Sequence, residues 1–172
     1  MLRSKKMLIR KAAIKDAAAI AKIYNYYIKH TPITFEIKTI KTAEIAKRMK
    51  GHSKKYIWLV GVVDGVIIGY AYSSEFQERA AYKHSQELTV YLHKDHFGKG
   101  YGTLLYKKLI ALVKKTDCAV MIGGIGLPNK GSVRLHEKLG FKKVAHFKKV
   151  GRKFGKWIDV GYWEKVLRRS SV

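Results

Sequence analysis

Apolar positions recur along the chain with a helical spacing in four stretches. The clearest stripe follows Asp16, a candidate helix N-cap, and consists of Ile20, Ile23, Tyr24, Tyr27 and Ile28. A second helix is predicted over residues 42–49, and a short one over residues 132–139, where Gly140 ends it. A helix that begins near Gly100 has an apolar face formed by Tyr101, Leu104, Leu105, Leu109 and Leu112.

Shorter apolar runs between these helices predict strands. The strongest signal is a β-hairpin with strands over residues 56–63 and 66–74, because the turn between them is Asp64-Gly65. Further strands are predicted over residues 8–12, 86–92, 119–125, 142–150 and 156–165. The order β-α-α-β-β-β-α-β-α-β-β predicts an α/β (α+β) fold, with helices flanking a mixed, mostly antiparallel central sheet.

The length and composition of the chain suit a single domain. Its 172 residues are 47% hydrophobic and 28% charged, which is typical of a globular protein with one core. No repeat or Pro- or Ser-rich linker interrupts it, so we expect one domain over residues 7–168, with short basic tails over residues 1–6 and 169–172. No apolar run reaches membrane-spanning length, and the start lacks the apolar stretch of a secretion signal. We therefore expect a cytoplasmic protein without a membrane partner.

Basic residues exceed acidic residues threefold, at 36 against 12, for a net charge of +24. Such a charge attracts nucleic acid, acidic membranes and phosphorylated cofactors, but it is spread along the chain, so a general solubility effect is equally open. A nucleic-acid-binding module is therefore one alternative, although no recognised motif supports it. Aromatic residues could stack on bases, but their periodicity favours core packing for Tyr24, Tyr26, Tyr27, Trp157, Tyr162 and Trp163.

The residues that bind metals or form disulfides are scarce or wrongly spaced. Cys118 is the single cysteine, which excludes an internal disulfide and a Cys-rich metal site. The seven histidines show no metal-ligand spacing such as His-Glu-x-x-His. We therefore predict no metal.

A glycine-rich turn joins the strand over residues 86–92 to the helix that follows it. Gly98, Gly100 and Gly102 allow a tight turn with close backbone approach to a ligand, and Lys99 adds a cation. A helix N-terminus favours a pyrophosphate at this point. The Gly-Lys-Ser/Thr of a Walker loop is missing, and a Rossmann turn would follow the first strand of a parallel sheet. The turn is therefore a phosphate site of another kind, or a turn without a ligand.

Several segments together resemble the GCN5-related N-acetyltransferase superfamily, and in particular its phosphinothricin acetyltransferases. The segments are Gly98-x-Gly100-x-Gly102 after a strand, Gly126-Leu127-Pro128-Asn129, Ser132-Val133-Arg134-Leu135-His136-Glu137, Asp159-Val160-Gly161-Tyr162-Trp163, and Arg79-Ala80-Ala81-Tyr82 before Glu87-Leu88-Thr89-Val90-Tyr91. The resemblance runs from about residue 8 to about residue 167. It implies the fold of that superfamily, in which two central strands splay apart, and acetyl-CoA as the co-substrate.

The resemblance also implies which residues bind acetyl-CoA. They are Val90, Tyr91, Leu92, Gly98, Lys99, Gly100, Tyr101, Gly102, Thr103, Asn129 and Ser132. Two positions depart from the superfamily pattern. Phe97 stands where Gln or Arg is common, so the backbone amides would serve there without a polar side chain. His136 stands where many members have a Tyr that acts as a general acid, and the phosphinothricin branch shares this His.

Glu87 is the candidate general base, because a carboxylate among apolar residues at the start of a central strand is costly unless it is paired or functional. An ion pair with a neighbouring Arg or Lys is the structural alternative. His136 is the second catalytic candidate, against an ordinary structural role on its helix. For the acceptor, the resemblance implies contacts from Phe35, Arg79, Tyr82, Glu87 and Thr89. Arg79 is suited to a bidentate grip on a carboxylate or phosphinate.

The predicted activity is transfer of the acetyl group of acetyl-CoA to the α-amine of a small amino acid or analogue, of the phosphinothricin, methionine sulfoximine or methionine sulfone type. Direct attack on the thioester needs no covalent enzyme intermediate, and no motif places Cys118 to supply one. Acetylation of a protein N-terminus or of an aminoglycoside is a second alternative. The resemblance further implies a homodimer.

Overall fold

A seven-stranded sheet and four α-helices are formed by residues 6–51 and 55–167, the ranges that the computed structural model describes. The strands are β1 (Leu8–Lys11), β2 (Trp58–Val63), β3 (Val66–Glu75), β4 (Ser85–Leu92), β5 (Val120–Leu127), β6 (Lys142–Lys153) and β7 (Lys156–Val166). The helices are α1 (Ala17–His30), α2 (Thr42–Gly51), α3 (Tyr101–Val113) and α4 (Lys130–Lys138). The predicted elements are confirmed in type and order. Residues 1–5 and 169–172 of the expected tails, and residue 168, lie outside the described residues.

The strands are ordered β1-β2-β3-β4-β5-β7-β6, and neighbours are antiparallel except for the parallel pair of β4 and β5. In the part of the chain that the structure describes, this parallel ladder is short and consists of Ser85↔Val120, Gln86↔Met121 and Glu87↔Ile122. Beyond Glu87 the two strands pair with their outer neighbours alone, and a cleft separates them. The mixed, mostly antiparallel sheet with splayed central strands is therefore confirmed.

Helices cover both faces of the sheet, and each face has its own apolar cluster. Helices α1 and α2 pack on one face around Trp58 and Val60, here called the α1/α2 face. Helix α3 packs on the opposite face around Leu59 and Leu88, with α4 at its margin, here called the α3/α4 face. Neighbouring strand residues contribute to opposite clusters because successive side chains on a strand point to opposite faces. The functional side chains of β4 and β5 are divided between the faces in the same way.

Asp16 precedes α1 as expected, but its carboxylate does not cap that helix. The carboxylate accepts hydrogen bonds from the backbone N–H of Ala13 at 2.7 Å and from the guanidinium of Arg10 at 2.7 and 2.9 Å. The ion pair with Arg10 lowers the pKa of Asp16. Asp16 therefore ties β1 to the start of α1, because the turn before the helix offers its carboxylate partners that the helix does not.

Two predicted core residues are exposed. Leu104 is 51% exposed, because the buried stripe of α3 runs through Leu105 and Leu109 and leaves Leu104 at its margin. Trp157 is 60% exposed, since it lies near the tip of the β6–β7 hairpin, opposite Arg152 and beyond the helices. The Arg152 guanidinium lies 5.5 Å from the Trp157 ring centre. Core packing is therefore the wrong prediction for these two side chains.

Candidate active site

A cleft of about 580 Å³ opens where β4 and β5 diverge. Its walls are residues 88–92 of β4, residues 124–126 of β5, the turn before α3 and the start of α4. Ile33, from the loop after α1, closes one side. This loop crosses β5 at Gly126, where a Cβ atom would lie 3.3 Å from the carbonyl oxygen of Pro32. The strand, the glycine turn and the α4 segment expected to bind acetyl-CoA therefore meet in one cleft.

The backbone of β4 presents an open edge to this cleft. His93 N–H donates to the carbonyl of Ile68 on the β3 side at 2.7 Å, whereas the carbonyl of His84 accepts from Ala119 N–H on the β5 side at 2.7 Å. Backbone groups of successive strand residues point to alternate sides. The residues whose N–H and C=O groups therefore point toward β5, after its pairing with β4 has ended, are Leu88, Val90 and Leu92.

Two buried tyrosine hydroxyls lie within hydrogen-bonding distance of carbonyl groups of this edge. Tyr27 on α1 donates to the carbonyl of Leu92 at 2.6 Å, and the Tyr106 hydroxyl on α3 lies 3.2 Å from the carbonyl of Leu88. Burial raises the pKa of Tyr27 to about 12. Neither residue was predicted to belong to the site: Tyr27 is part of the predicted apolar stripe of α1, and Tyr106 was not among the residues of the predicted α3 face, although it lies in the core. A phenol in such a stripe needs a hydrogen-bond partner, and that requirement is the signal that could have found them.

The glycine turn has a backbone conformation that residues other than glycine rarely adopt. Gly98 and Gly100 have φ angles of 73° and 78°, and Gly100 is the N-cap residue of α3. Gly102 packs against Leu92, and a Cβ atom at position 102 would lie 3.4 Å from the Leu92 side chain. All three glycines and Thr103 line the cleft, at the positive end of the α3 dipole. This end of the cleft can bind a pyrophosphate through backbone N–H groups.

Three of the expected cofactor contacts have side chains directed elsewhere. The Tyr91 ring packs against the Tyr27 ring at 4.8 Å, and Tyr101 is buried at 4% exposure. The Lys99 ammonium donates to the carbonyl of Asp95 at 2.9 Å within the turn itself. Backbone groups are therefore what Tyr91 and Tyr101 can offer a ligand in this arrangement.

Asn129 and Ser132 line the opposite wall of the cleft. The Asn129 side-chain oxygen accepts the backbone N–H of Ser132 at 3.1 Å, which makes Asn129 the N-cap of α4. Its amide NH₂ group can still donate to a ligand. The capping role and the expected binding role are therefore compatible.

Glu87 is the last residue of β4 that pairs with β5. Its carboxylate lies beside the Tyr162 ring and 3.2 Å from the hypothetical Cβ of Gly124. Within residues 6–51 and 55–167 this carboxylate has no hydrogen bond or ion pair, and burial alone raises its pKa. The ion-pair alternative for Glu87 therefore finds no partner among the described residues. A partly buried carboxylate with a raised pKa at the apex of a cleft is suited to accept a proton.

His136 is 4% exposed, and its ring lines the α4 wall of the cleft. Its Nε2 lies 2.9 Å from the Tyr106 hydroxyl, and its Nδ1 lies 2.8 Å from the carbonyl of Ser132. Burial lowers the pKa of His136, which favours the neutral ring. The ring fits because Gly123 has no side chain, since a Cβ there would lie 2.3 Å from Nε2.

Glu87 and His136 lie on opposite sides of β5. Gly124 borders Glu87 on the α1/α2 face, and Gly123 borders His136 on the α3/α4 face. The structure thus brings both side chains to the point where β4 and β5 separate, with the thickness of one strand between them. Glycine at both positions is what allows the approach from each face.

Two of the five residues expected to bind the acceptor line a second cavity, of about 1020 Å³. Arg79 and Tyr82 line it together with Ser74, which is paired across the strands with Glu87. Thr89 instead lines the cleft. Phe35 does not line this cavity and packs on Gly151 of β6, with 2.4 Å between its ring and the hypothetical Cβ of Gly151. The structure thus brings Arg79 and Tyr82 together and places Phe35 outside the linings of both cavities.

Metal and membrane features are absent from the described ranges. Across residues 6–51 and 55–167, no three His, Cys, Asp or Glu side chains are grouped so as to hold a metal ion. Within the same residues, no helix has both the length and the apolar character for a membrane crossing.

Comparison with known proteins assigns the fold and the cleft to one family. Residues 9–161 match the acetyltransferase (GNAT) domain. The chain is 36% identical to phosphinothricin N-acetyltransferase of Streptomyces viridochromogenes over 91% of this chain and 86% of that protein. It is 35% identical to L-methionine sulfoximine/L-methionine sulfone acetyltransferase of Salmonella typhimurium, over 94% and 95%. An acetyltransferase structure from Salmonella typhimurium with its cofactor acetyl-CoA superposes with a TM-score of 0.93, at 34% identity over 96% of both chains. The chain therefore belongs to the GNAT family and is an acetyl-CoA-dependent N-acetyltransferase.

Proposed function

We propose that the enzyme acetylates the α-amine of small amino acids or their analogues, of the phosphinothricin, methionine sulfoximine or methionine sulfone type. The observation that carries the proposal is the position of Glu87, an unpaired carboxylate where the open edge of β4 begins. The names of the relatives support the acceptor class, since they act on amino acid analogues of this kind. Protein N-termini and aminoglycosides are the acceptors that this proposal excludes.

The residues of the cleft suit acetyl-CoA, which supplies the acetyl thioester. In our proposal, the Gly98–Gly102 turn binds the pyrophosphate through its N–H groups, and Asn129 and Ser132 hold the pantetheine arm. The Val90 N–H donates to the thioester carbonyl as charge develops there, because Val90 lies mid-way along the open edge. The glycine turn and the open edge of β4 line the same cleft, which supports this assignment.

Glu87 accepts the proton that the acceptor amine must lose. An α-amine has a reference pKa of about 8, so it arrives largely protonated at neutral pH. Burial raises the pKa of Glu87 toward the pKa of the amine, which makes the carboxylate a better base. Cys118 takes no part, because its thiol is 1% exposed and lies 3.2 Å from the carbonyl of Val120, away from the cleft.

Acceptor binding is assigned to the second cavity, because Ser74, the partner of Glu87 on β3, lines it. Arg79 can bind a carboxylate or phosphinate through two N–H groups, and Tyr82 lies beside Phe76 at 5.8 Å between ring centres. Thr89 lies on the same strand face as Glu87, two residues further along. We retain Phe35 as a proposed contact of the bound acceptor, although its ring packs on Gly151 and lines neither cavity here.

We further propose that the enzyme is a homodimer and acts in the cytoplasm. Large apolar side chains exposed on the β6–β7 hairpin, Phe147, Val150, Phe154 and Trp157, support a surface that a second copy covers. The sequence contains one cysteine, so no disulfide can form within the chain, which is compatible with a reducing compartment.

Release of free thiol from acetyl-CoA across a panel of amines tests the proposed function. The panel contains methionine sulfoximine, methionine sulfone, phosphinothricin, unmodified amino acids, N-terminal peptides and an aminoglycoside. We expect the highest kcat/KM with the amino acid analogues. Turnover confined to peptides or to the aminoglycoside would overturn the acceptor assignment.

A further inference from the structure

Four polar groups form a continuous chain beneath the splayed strands. The Ser132 carbonyl lies 2.8 Å from His136 Nδ1, and His136 Nε2 lies 2.9 Å from the Tyr106 hydroxyl. The same hydroxyl lies 3.2 Å from the Leu88 carbonyl, on the open edge of β4. Tyr106 is 0% exposed, so water cannot replace a lost partner at its hydroxyl.

With His136 neutral, the protons of this chain can be assigned. The Ser132 carbonyl is an acceptor, so the ring proton is on Nδ1 and Nε2 carries a lone pair. The Tyr106 hydroxyl then donates to Nε2 at 2.9 Å, the shorter of its two contacts. A hydroxyl has one proton, so in this state the Leu88 carbonyl receives nothing from Tyr106.

With His136 protonated, every group in the chain is still satisfied. Nδ1–H donates to the Ser132 carbonyl, and Nε2–H now donates to the Tyr106 oxygen. The Tyr106 proton is free to turn toward the Leu88 carbonyl at 3.2 Å. Rotation of one O–H bond therefore accommodates both charge states of a buried imidazole, whereas a phenyl ring at this position would leave Nε2–H without a partner.

We propose that Tyr106 is a positioning residue that allows buried His136 to take up a proton, and that it couples the charge of His136 to the Leu88 carbonyl on the open edge of β4. On the Nδ1 side, the ring contacts the Ser132 carbonyl at 2.8 Å and, more weakly, the Ser132 hydroxyl at 3.4 Å. The remaining groups around the ring do not stabilise its charge. Gly123 and Phe141 are apolar, and Glu137 on α4 is 3.3 Å from the indole N–H of Trp163. The carboxylate of Glu87 approaches from the opposite face of β5. Among the described residues, Tyr106 is thus the side chain that can accept a hydrogen bond from Nε2–H of His136.

Tyr106→Phe tests this directly, with Tyr70→Phe as the matched control. Tyr70 on β3 is also a buried tyrosine, at 2% exposure, but it lies on the α1/α2 face, opposite Tyr106. Nitrogen-15 NMR of the free enzyme reports the tautomer and pKa of His136 without any turnover. We expect a proton on Nδ1 in the neutral wild type, and a pKa for His136 about one unit lower in Tyr106→Phe, because the imidazolium loses a stronger hydrogen bond than the neutral ring.

Each outcome decides the proposal. A proton on Nε2 in the neutral wild type, or a His136 that does not titrate above the pH of acid unfolding, overturns it even if Tyr106→Phe fails to fold. An unchanged His136 pKa in Tyr106→Phe, or an equal shift in Tyr70→Phe, also overturns it. Because the NMR measurement needs no acceptor, its failure is distinct from a failure of the acceptor assignment.

Discussion

Glu87→Gln removes a carboxylate at the apex of the cleft and keeps the size and shape of the side chain. No ion pair is broken, since Glu87 has none among residues 6–51 and 55–167. The loss in kcat therefore measures the contribution of Glu87 as a general base. General-base catalysis contributes roughly 10²–10⁴-fold, so kcat should fall by that factor, or by about 3–5.5 kcal/mol in the barrier. The affinity for acetyl-CoA should stay nearly unchanged, because the glycine turn and the β4 edge are intact.

The assay is thiol release from acetyl-CoA with saturating acceptor between pH 6 and about pH 10, the reference range over which an α-amine loses its proton. The deficit of Glu87→Gln should shrink at high pH, where the amine arrives deprotonated. Glu164→Gln is the control, because Glu164 lies on β7 outside the cleft. A harmless Glu87→Gln at neutral pH would refute the reasoning and leave His136 as the leading base. Acetylated enzyme that accumulates without acceptor would refute direct attack.

The same substitution should stabilise the folded protein at neutral pH. Burial raises the pKa of Glu87 in the folded state, so the ionised form costs stability at every pH above that folded value. Below the unfolded pKa both states are protonated, and the cost is gone. The Tm of Glu87→Gln should therefore exceed the wild-type Tm at neutral pH, with an advantage that shrinks as the pH falls through the folded pKa. A lower Tm at neutral pH would show that the carboxylate has a stabilising partner.

Three further predictions concern the cofactor turn, the core and the charge. Gly100→Asp should weaken acetyl-CoA binding in calorimetry at least tenfold, or about 1.4 kcal/mol, whereas Gly65→Asp, with the same φ of 78° in the β2–β3 turn, should not. Leu109→Ala should cost about 2–5 kcal/mol in urea unfolding, and Leu104→Ala no more than about 0.5 kcal/mol; equal costs would contradict the assigned face of α3. DNA binding followed by fluorescence anisotropy should weaken steeply with salt and show no sequence preference, and a specific complex at physiological salt would contradict this.

Local patterns predicted the elements well. The Asp64-Gly65 turn has φ angles of 50° and 78°, as the hairpin signal requires, and α3 begins directly after Gly100. Strand β6 extends to Lys153, three residues beyond the predicted end at residue 150. Its pairing with β7 is interrupted between Phe147 and Gly151, which periodicity does not reveal. Hydrophobic patterning thus predicts the type and order of the helices and strands. Bulges depend on pairing with another strand, which a short stretch of sequence does not contain.

Most segments that line the cleft could be predicted from the sequence, but their arrangement could not. The glycine turn and Asn129 were found from motifs, because backbone requirements leave a mark in the sequence. The separation of Glu87 and His136 onto opposite faces depends on the sheet order, which no local pattern encodes. Tyr106 was missed for the same reason, since its role follows from distances to two residues on other elements.

The adjacent glycines at positions 123 and 124 divide the enzyme into two halves that can vary independently. In the proposed site, acetyl-CoA is held mainly by backbone groups on the α3/α4 side, whereas the acceptor is held by side chains such as Arg79 and Tyr82. Substitutions in those loops can therefore retune the choice of amine while the grip on acetyl-CoA stays constant. Any side chain at Gly123, in contrast, would displace His136. We therefore expect this fold to tolerate substitutions that change the substrate range more readily than substitutions at Gly123 and Gly124 of β5.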